Sequence, residues 1–312
     1  MLRTAAAPAG VGPAGPIAQE IADLGWLMTW LGGAVFILVI VLLVAALVRG
    51  RRGDVTAPES AGERWVVGGG VVLPVVVVAV VFGFTLVAMQ ATSLETEPDG
   101  VVIDVVGHQW WWEVEYPDQG IVSANEIHIP VGRPVELRLT SVDVIHSFWV
   151  PALGGKIDLL PDKTNTYVIQ ADEAGEYQGA CAEFCGLQHA RMRFVAVAVS
   201  DEQFAAWVER EQAAAADPVE VLALRGQEVF ERQECGECHT IRGTLADGRT
   251  GPDLTHLASR LTLAAGTLAN TPENLREWVA DPQEFKEGVE MPSFQLSDSD
   301  MEALIAYLET LE

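Results

Sequence analysis

The sequence predicts a multi-domain chain: two transmembrane α-helices forming a hairpin, then an all-β sandwich, then a small all-α domain. Three observations predict this. Two long uncharged stretches lie near the start, short segments with period-two apolar patterning fill the middle, and helical periodicity with cap residues marks the end. The corresponding boundaries are 1–94, 95–216 and 217–312.

Trp26 to Val48 runs 23 residues without a charge, enough for a helix to cross ~30 Å of hydrocarbon. Trp65 to Leu94 is also uncharged, and its lone Pro74 implies a kink, which a membrane helix tolerates. The spans are placed at about 26–48 and 66–91. Arg49, Arg51, Arg52 and Arg64 lie between them, so the positive-inside rule puts this loop in the cytoplasm of a bacterial cell. Both termini and everything after the second span then lie on the outer, periplasmic side of the inner membrane. Before the first span, a single cation (Arg3) precedes an Ala/Gly/Pro-rich run, which leaves a cleaved signal and an unstructured lead-in both open.

Charge is concentrated after residue 94. Residues 95–312 hold 14 basic and 39 acidic groups, which accounts for the whole net charge of −25. Nucleic acid is excluded as a partner, since binding it needs a basic footprint. An acidic exterior steers a basic protein donor towards it. The sandwich and the C-terminal domain carry about −13 and −12, so the two are expected to repel one another. The tether through the alanine run 213–216 and Pro218 is expected to offset that repulsion by raising the effective concentration.

In the middle section Val102 and Val106, then Trp110, Trp112, Val114 and Tyr116, alternate with other residues, as do Val135, Leu137 and Leu139. Further runs occur at 121–129, 144–150, 166–170, 176–180 and 193–199, the pattern of a sandwich or barrel. Ser200-Asp201-Glu202-Gln203 reads as a capping box opening a helix that ends near Asp217-Pro218. Beyond it, helices are expected at 219–233, 272–280 with a Thr271 cap, and 298–311 with a Ser297 cap and Leu304, Leu308 and Leu311 along one face.

Two motifs use all four cysteines. Cys181, Cys185, His189 and Met192 sit three or four residues apart on one inter-strand loop, a set of soft and borderline ligands that favours copper. A zinc site of two cysteines and two histidines is the alternative, and Met192 argues against it. Two coppers sharing both thiolates need a further imidazole, for which His108, His128 and His146 are the candidates, and an oxygen donor. Cys235-Gly236-Glu237-Cys238-His239 matches the C-x-x-C-H signature of covalent c-type haem, with His239 on one side of the iron. Met291, Met301 and His256 are the downstream candidates for the opposite side. Met301 is three residues before Leu304 on the last helix, a core position.

Gly107-His108-Gln109-Trp110-Trp111-Trp112, then Val144-Ile145-His146-Ser147-Phe148-Trp149, then the cysteine loop resemble subunit II of haem–copper cytochrome c oxidases. The resemblance covers roughly residues 20–210, both spans included. It implies a cupredoxin-like domain with a binuclear copper A centre bridged by Cys181 and Cys185. His146, His189, Met192 and the carbonyl of Glu183 complete the shell, and the Glu183 side chain reaches a magnesium or manganese ion at the junction with subunit I. Trp110 is where electrons enter, while His108 and His128 fall to structural roles. Trp111 stands where the family often has tyrosine. In the family an acidic residue near the cytoplasmic start of the second span helps feed a proton channel of subunit I; Glu59 and Glu63 stand nearby, and which of them, if either, has that role is left open. Downstream, Gly251-Pro252-Asp253-Leu254, Met291-Pro292 and Tyr307 resemble class I cytochromes c, which implies an all-α cytochrome c domain with Met291 as second axial ligand. Histidine–methionine ligation raises the reduction potential.

The resemblance implies subunit II of a caa-type oxidase. Electrons pass from haem c to copper A and on to subunit I, where dioxygen is reduced to water with proton translocation. The partners are subunit I and the other subunits, the membrane, and an external donor (cytochrome c or quinol–cytochrome c reductase). This chain itself carries no catalytic acid, base or nucleophile. The equivalent subunit of a copper A nitric oxide reductase is the near alternative. A free-standing membrane-anchored copper carrier or redox sensor is another, with no use for haem c. A quinol oxidase subunit would lack the copper ligands, and nitrous oxide reductase lacks the two anchors.

Overall fold

A computed structural model describes residues 12–51, 59–92 and 100–312, which divide into two compact units, 17–93 and the remainder. Arg3 and Arg52, and the expected boundary at 94/95, lie outside the described residues.

The first unit is helical: α1 (Pro16–Arg51), α2 (Glu59–Val67), a π-helical turn (Gly68–Val72) and α3 (Leu73–Ala91). Two stretches, Pro16–Arg51 and Gly62–Ala91, are long and apolar enough to cross a membrane. Both exceed the expected spans, because helix propensity continues into residues beyond the hydrocarbon length. Pro74 falls in the first turn of α3, directly after the π turn. The π turn and α3 belong to one continuous helical stretch, Gly62–Ala91, so the missing N–H of Pro74 falls inside it, beside a π turn of the kind that accompanies helix kinks. Glu63 stands exposed on α2, and the Glu59 side chain lies outside the described residues.

The second unit begins with a sandwich. Its strands are β1 (Val102–His108), β2 (Trp111–Tyr116), β3 (Ile121–Ala124), β4 (Glu126–Pro130), β5 (Val135–Ser141), β6 (His146–Trp149), β7 (Ile157–Leu159), β8 (Asn165–Ile169), β9 (Gly175–Cys181) and β10 (Arg193–Val199). They form two five-stranded sheets, ordered β3-β2-β1-β5-β8 and β4-β10-β9-β6-β7. The β1–β5 and β4–β10 pairs are parallel and the others antiparallel. The expected run 121–129 is two strands on different sheets, because Asn125 takes a left-handed φ of 62° that breaks the pleat. In β1 the residues facing the core are Ile103 and Val105, while Val102 and Val106 are only half-buried. Val102 and Val106 are one residue out of phase with that buried face, because β-branched residues occupy both faces of the strand.

The core explains why three tryptophans stand in a row. Trp112 is 1% exposed and meets Phe194 and Phe148 of the other sheet edge-on, with ring centroids 5.2 and 6.2 Å away. Trp111, on the opposite face of β2, stacks on His108 at 4.2 Å. Trp110 precedes the strand and stays half-buried.

Ser200 caps α4 (Asp201–Gln212) through the reciprocal bonds of a capping box with Gln203. The C-terminal part contains α5 (Val221–Arg232), α6 (Pro272–Ala280), α7 (Pro282–Phe285) and α8 (Asp298–Leu308), with the Thr271 and Ser297 caps in place. A two-residue hairpin, β11 (Thr262–Leu263) and β12 (Leu268–Ala269), adds strand structure where none was expected. The core here gathers Phe230, Leu275, Met301, Leu304, Tyr307 and Leu308.

His128 stacks on Trp207 of α4 at 4.4 Å, and burial holds it down to about 4. Its unfolded value near 6.5 is higher, so the unfolded chain binds the extra proton between pH 6.5 and 4 and stability falls as pH falls through that window. Buried Glu126, pushed up to about 7, acts with the opposite sign. The measurable quantity is therefore a difference. Between pH 6.5 and 4.5 thermal unfolding should show His128→Phe gaining about 2 kcal/mol relative to the parent; equal pH slopes in the two proteins contradict this.

Candidate metal centres

Three segments far apart in sequence meet at one end of the sandwich: the 107–112 turn, the 141–149 turn, and the loop from Cys181 to Met192. The last connects β9 to β10, whose pairing places Cys181 and Met192 side by side. Cys181 Sγ and Cys185 Sγ are 3.7 Å apart, and both are buried. His146 Nδ1 lies 3.9 Å from Cys181 Sγ, His189 Nδ1 3.7 Å from Cys185 Sγ, and Met192 Sδ 3.8 Å from Cys185 Sγ. The Glu183 carbonyl is 3.2 Å from Cys181 Sγ. The Glu183 carboxylate is exposed and pairs with Lys156 at 3.6 Å. Of the three candidate imidazoles, the structure brings His146 to the cysteines. His108 pairs with Glu113 at 3.6 Å, and His128 lies under Trp207.

The hydrogen bond between the two thiols, helped by His146, lowers Cys181 and raises Cys185 correspondingly. One proton leaves easily and the second only when a cation replaces it. Burial alone would lower His146, but its bonds to Cys181 and Asp143 outweigh that and raise it. His146 Nε2–H donates to Asp143 at 2.8 Å, which turns Nδ1 towards the sulfurs. Two thiols, two imidazoles, a thioether and a carbonyl around one point fit copper better than zinc.

Asp143 and Gln109 were not legible in advance. Asp143 also accepts the backbone N–H of Gln109 at 2.6 Å, and its place three residues before His146 was the available signal. The Cys185 carbonyl accepts from Gln109 Nε2 at 2.7 Å and from Trp110 Nε1 at 2.9 Å. Gly186, at φ +115°, is needed there: a Cβ would sit 3.0 Å from Gln109 Nε2 and 3.1 Å from Trp110 Cζ2.

The second centre is a cavity of about 510 Å³ lined by Cys235, Cys238, His239, Met291 and, from the sandwich side, Trp110 and Trp111. His239 Nδ1–H donates to the Pro252 carbonyl at 2.7 Å, leaving Nε2 as the free lone pair. Burial lowers its pKa, which favours the neutral ring an iron ligand requires. A Cβ at Gly251 would lie 2.6 Å from that ring, so glycine is required for the close approach. Met301 is core and does not reach the cavity, and His256 is tied to Glu312 O at 2.6 Å. Attachment thiols, an oriented imidazole, a thioether in the lining and an apolar cavity fit haem c.

The two halves of this unit pack together despite their like charge. Contacts between them employ backbone groups, a cation and a buried carboxylate: the Glu126 carboxylate accepts Leu261 N–H at 2.5 Å, Arg193 N–H donates to Ala265 O at 3.0 Å, and the Arg191 guanidinium donates to Phe285 O. The acidic excess lies elsewhere, so the expected repulsion does not prevent docking.

Residues 119–199 match the family described as cytochrome c oxidase subunit II, periplasmic domain, and residues 223–312 match cytochrome c. The cytochrome c oxidase subunit 2 of Alkalihalophilus pseudofirmus is 39% identical, the match covering 96% of this chain and 90% of the relative. That of Bacillus subtilis is 33% identical with the same coverage. The solved periplasmic domain of subunit II of cytochrome oxidase from Bradyrhizobium japonicum is 32% identical over 38% of this chain and 97% of its own, with a TM-score of 0.36.

Met291→Ala in the haem-loaded chain should abolish the iron–sulfur charge-transfer band at the red end of the spectrum, with Met301→Ala leaving it in place. The reverse outcome would show that the axial thioether is Met301.

Proposed function

The chain belongs to the cytochrome c oxidase subunit II family, and on that footing we propose that it carries electrons from haem c to a binuclear copper A centre and on to subunit I, where dioxygen is reduced and protons are translocated. The observation that carries this reading is Trp110: its ring lines the haem cavity while its indole N–H holds the carbonyl of Cys185. Haem c and copper A, when bound, supply reversible one-electron chemistry.

Cys235, Cys238, His239 and Met291 would hold the haem. Cys181 and Cys185 would bridge the coppers, with His146, His189, Met192 and the Glu183 carbonyl completing the shell. The Glu183 carboxylate, exposed on the same loop, is suited to a magnesium or manganese ion at the contact with subunit I. Asp143 fixes His146 and, through Gln109, the turn carrying Trp110. A site whose ligands are already placed needs little reorganisation when its charge changes by one. The two apolar helices anchor the chain in the membrane, and the loop arginines favour an orientation with both termini outside the cytoplasm. The acidic exterior favours a basic external donor such as a cytochrome c.

Stopped-flow reduction of the assembled complex should show the haem band changing before the copper band. Haem-to-copper transfer should depend weakly on ionic strength, whereas delivery by the external donor should fall steeply with salt. Copper reduced first, or unchanged turnover after deletion of residues 219–312, contradicts the series order. Oxygen against nitric oxide consumption by the same complex identifies the terminal acceptor.

A further inference from the structure

Lys286 is the lone lysine of residues 217–312, and it is 2% exposed. It follows α7 and lies five residues before Met291. Its ammonium donates to Trp110 O at 2.8 Å and to Ala264 O at 3.2 Å. One partner belongs to the sandwich and the other to the haem half, so a single cation bridges them. Burial pulls it down to about 7, a cost that solvated lysines do not bear.

Its sequence neighbours are gripped as well. The Phe285 carbonyl accepts from Arg191, and the Glu287 carbonyl accepts from Gln188 Nε2 at 2.7 Å. Gln188 and Arg191 lie on the cysteine loop, and Trp110 bonds to that loop through the Cys185 carbonyl. Three consecutive residues, 285–287, therefore bind the surface above the thiols, and the same strand of chain then lines the haem cavity at Val289, Glu290 and Met291. A long flexible side chain buried against two carbonyls loses rotamer freedom and hydration.

We infer that Lys286 is a positioning residue: by bonding the Trp110 carbonyl it sets the register of the Met291 segment against the tryptophan and the cysteine loop, and so sets the electron-transfer distance between the two centres. The inference rests on the haem-to-copper order proposed above. In that step one electron leaves the reduced haem and enters the oxidised copper pair, with no bond made or broken. Tunnelling depends steeply on distance, so a loosened dock slows this step and leaves haem reduction by the external donor unchanged.

The test uses the assembled, cofactor-loaded complex with Lys286→Met, which keeps length and removes the donor, and Lys286→Arg, which keeps it. Lys286→Met should slow haem-to-copper transfer at least tenfold. The haem and copper spectra should stay as in the parent. Amide hydrogen exchange at Arg193 and Leu261, whose N–H groups cross the interface, should become faster. Lys286→Arg should restore most of the rate. A transfer rate within twofold of the parent in Lys286→Met, or slowed transfer with unchanged exchange, overturns the assignment. Should Lys286→Met not assemble, Lys286→Gln reports instead, and a parental rate in that variant also overturns it. Absence of haem-to-copper transfer in the parent protein would instead refute the electron order itself.

Discussion

The carbonyl of Cys185 is the point on which the site depends. It accepts two side-chain hydrogen bonds, from Gln109 and Trp110, and so joins the cysteine loop to a turn 75 residues earlier in the chain. Gln109 is in turn held by Asp143, whose other oxygen orients His146. Every donor on this side of the centre is therefore placed by one connected network. Each bond contributes on the order of 1 kcal/mol, but a buried group left without its partner costs about 1–3 kcal/mol, so the network forms as a whole. Gly186 favours it, since its φ of +115° strains any other residue and a Cβ there would crowd Gln109 and Trp110 at 3.0–3.3 Å.

Electrostatics and packing divide the work between them. The exterior is strongly acidic, yet the surfaces that meet inside the second unit present Lys286 and Arg191 to carbonyls and the Leu261 N–H to the buried Glu126 carboxylate. Like charges on the outward faces act over a Debye length of roughly 8–10 Å and are screened by salt, whereas desolvated hydrogen bonds at contact are not. Short-range bonding therefore decides the docked geometry, and the long-range field is left to attract a donor.

Much of this was legible from the residues. The C-x-x-C-H motif, the cysteine loop and the caps at Ser200, Thr271 and Ser297 are local patterns, and local patterns survive folding. Residue pattern alone left His146, His108 and His128 open and the family resemblance pointed to His146; the physical reason lies in the strand pairing, which brings His146 to Cys181. The phase of β1 was obscured by valines on both faces, and β7 and the β11–β12 hairpin are too short to carry a period. The docked interface was hidden for a different reason. Net charge reports on a whole surface, and the contact depends on one lysine and a few backbone groups whose partners lie over 70 residues away.

The haem cavity and the cysteine site lie within one compact unit, and the contacts of residues 285–287 with the cysteine loop and Trp110 fix the distance between them. Pulsed electron paramagnetic resonance between the oxidised haem iron and the oxidised copper pair measures this directly in the assembled complex. A single narrow distance, unchanged between low and high salt, is the predicted result. A broad distribution, or one that widens as salt is changed, would contradict it and return the two halves to a tethered pair.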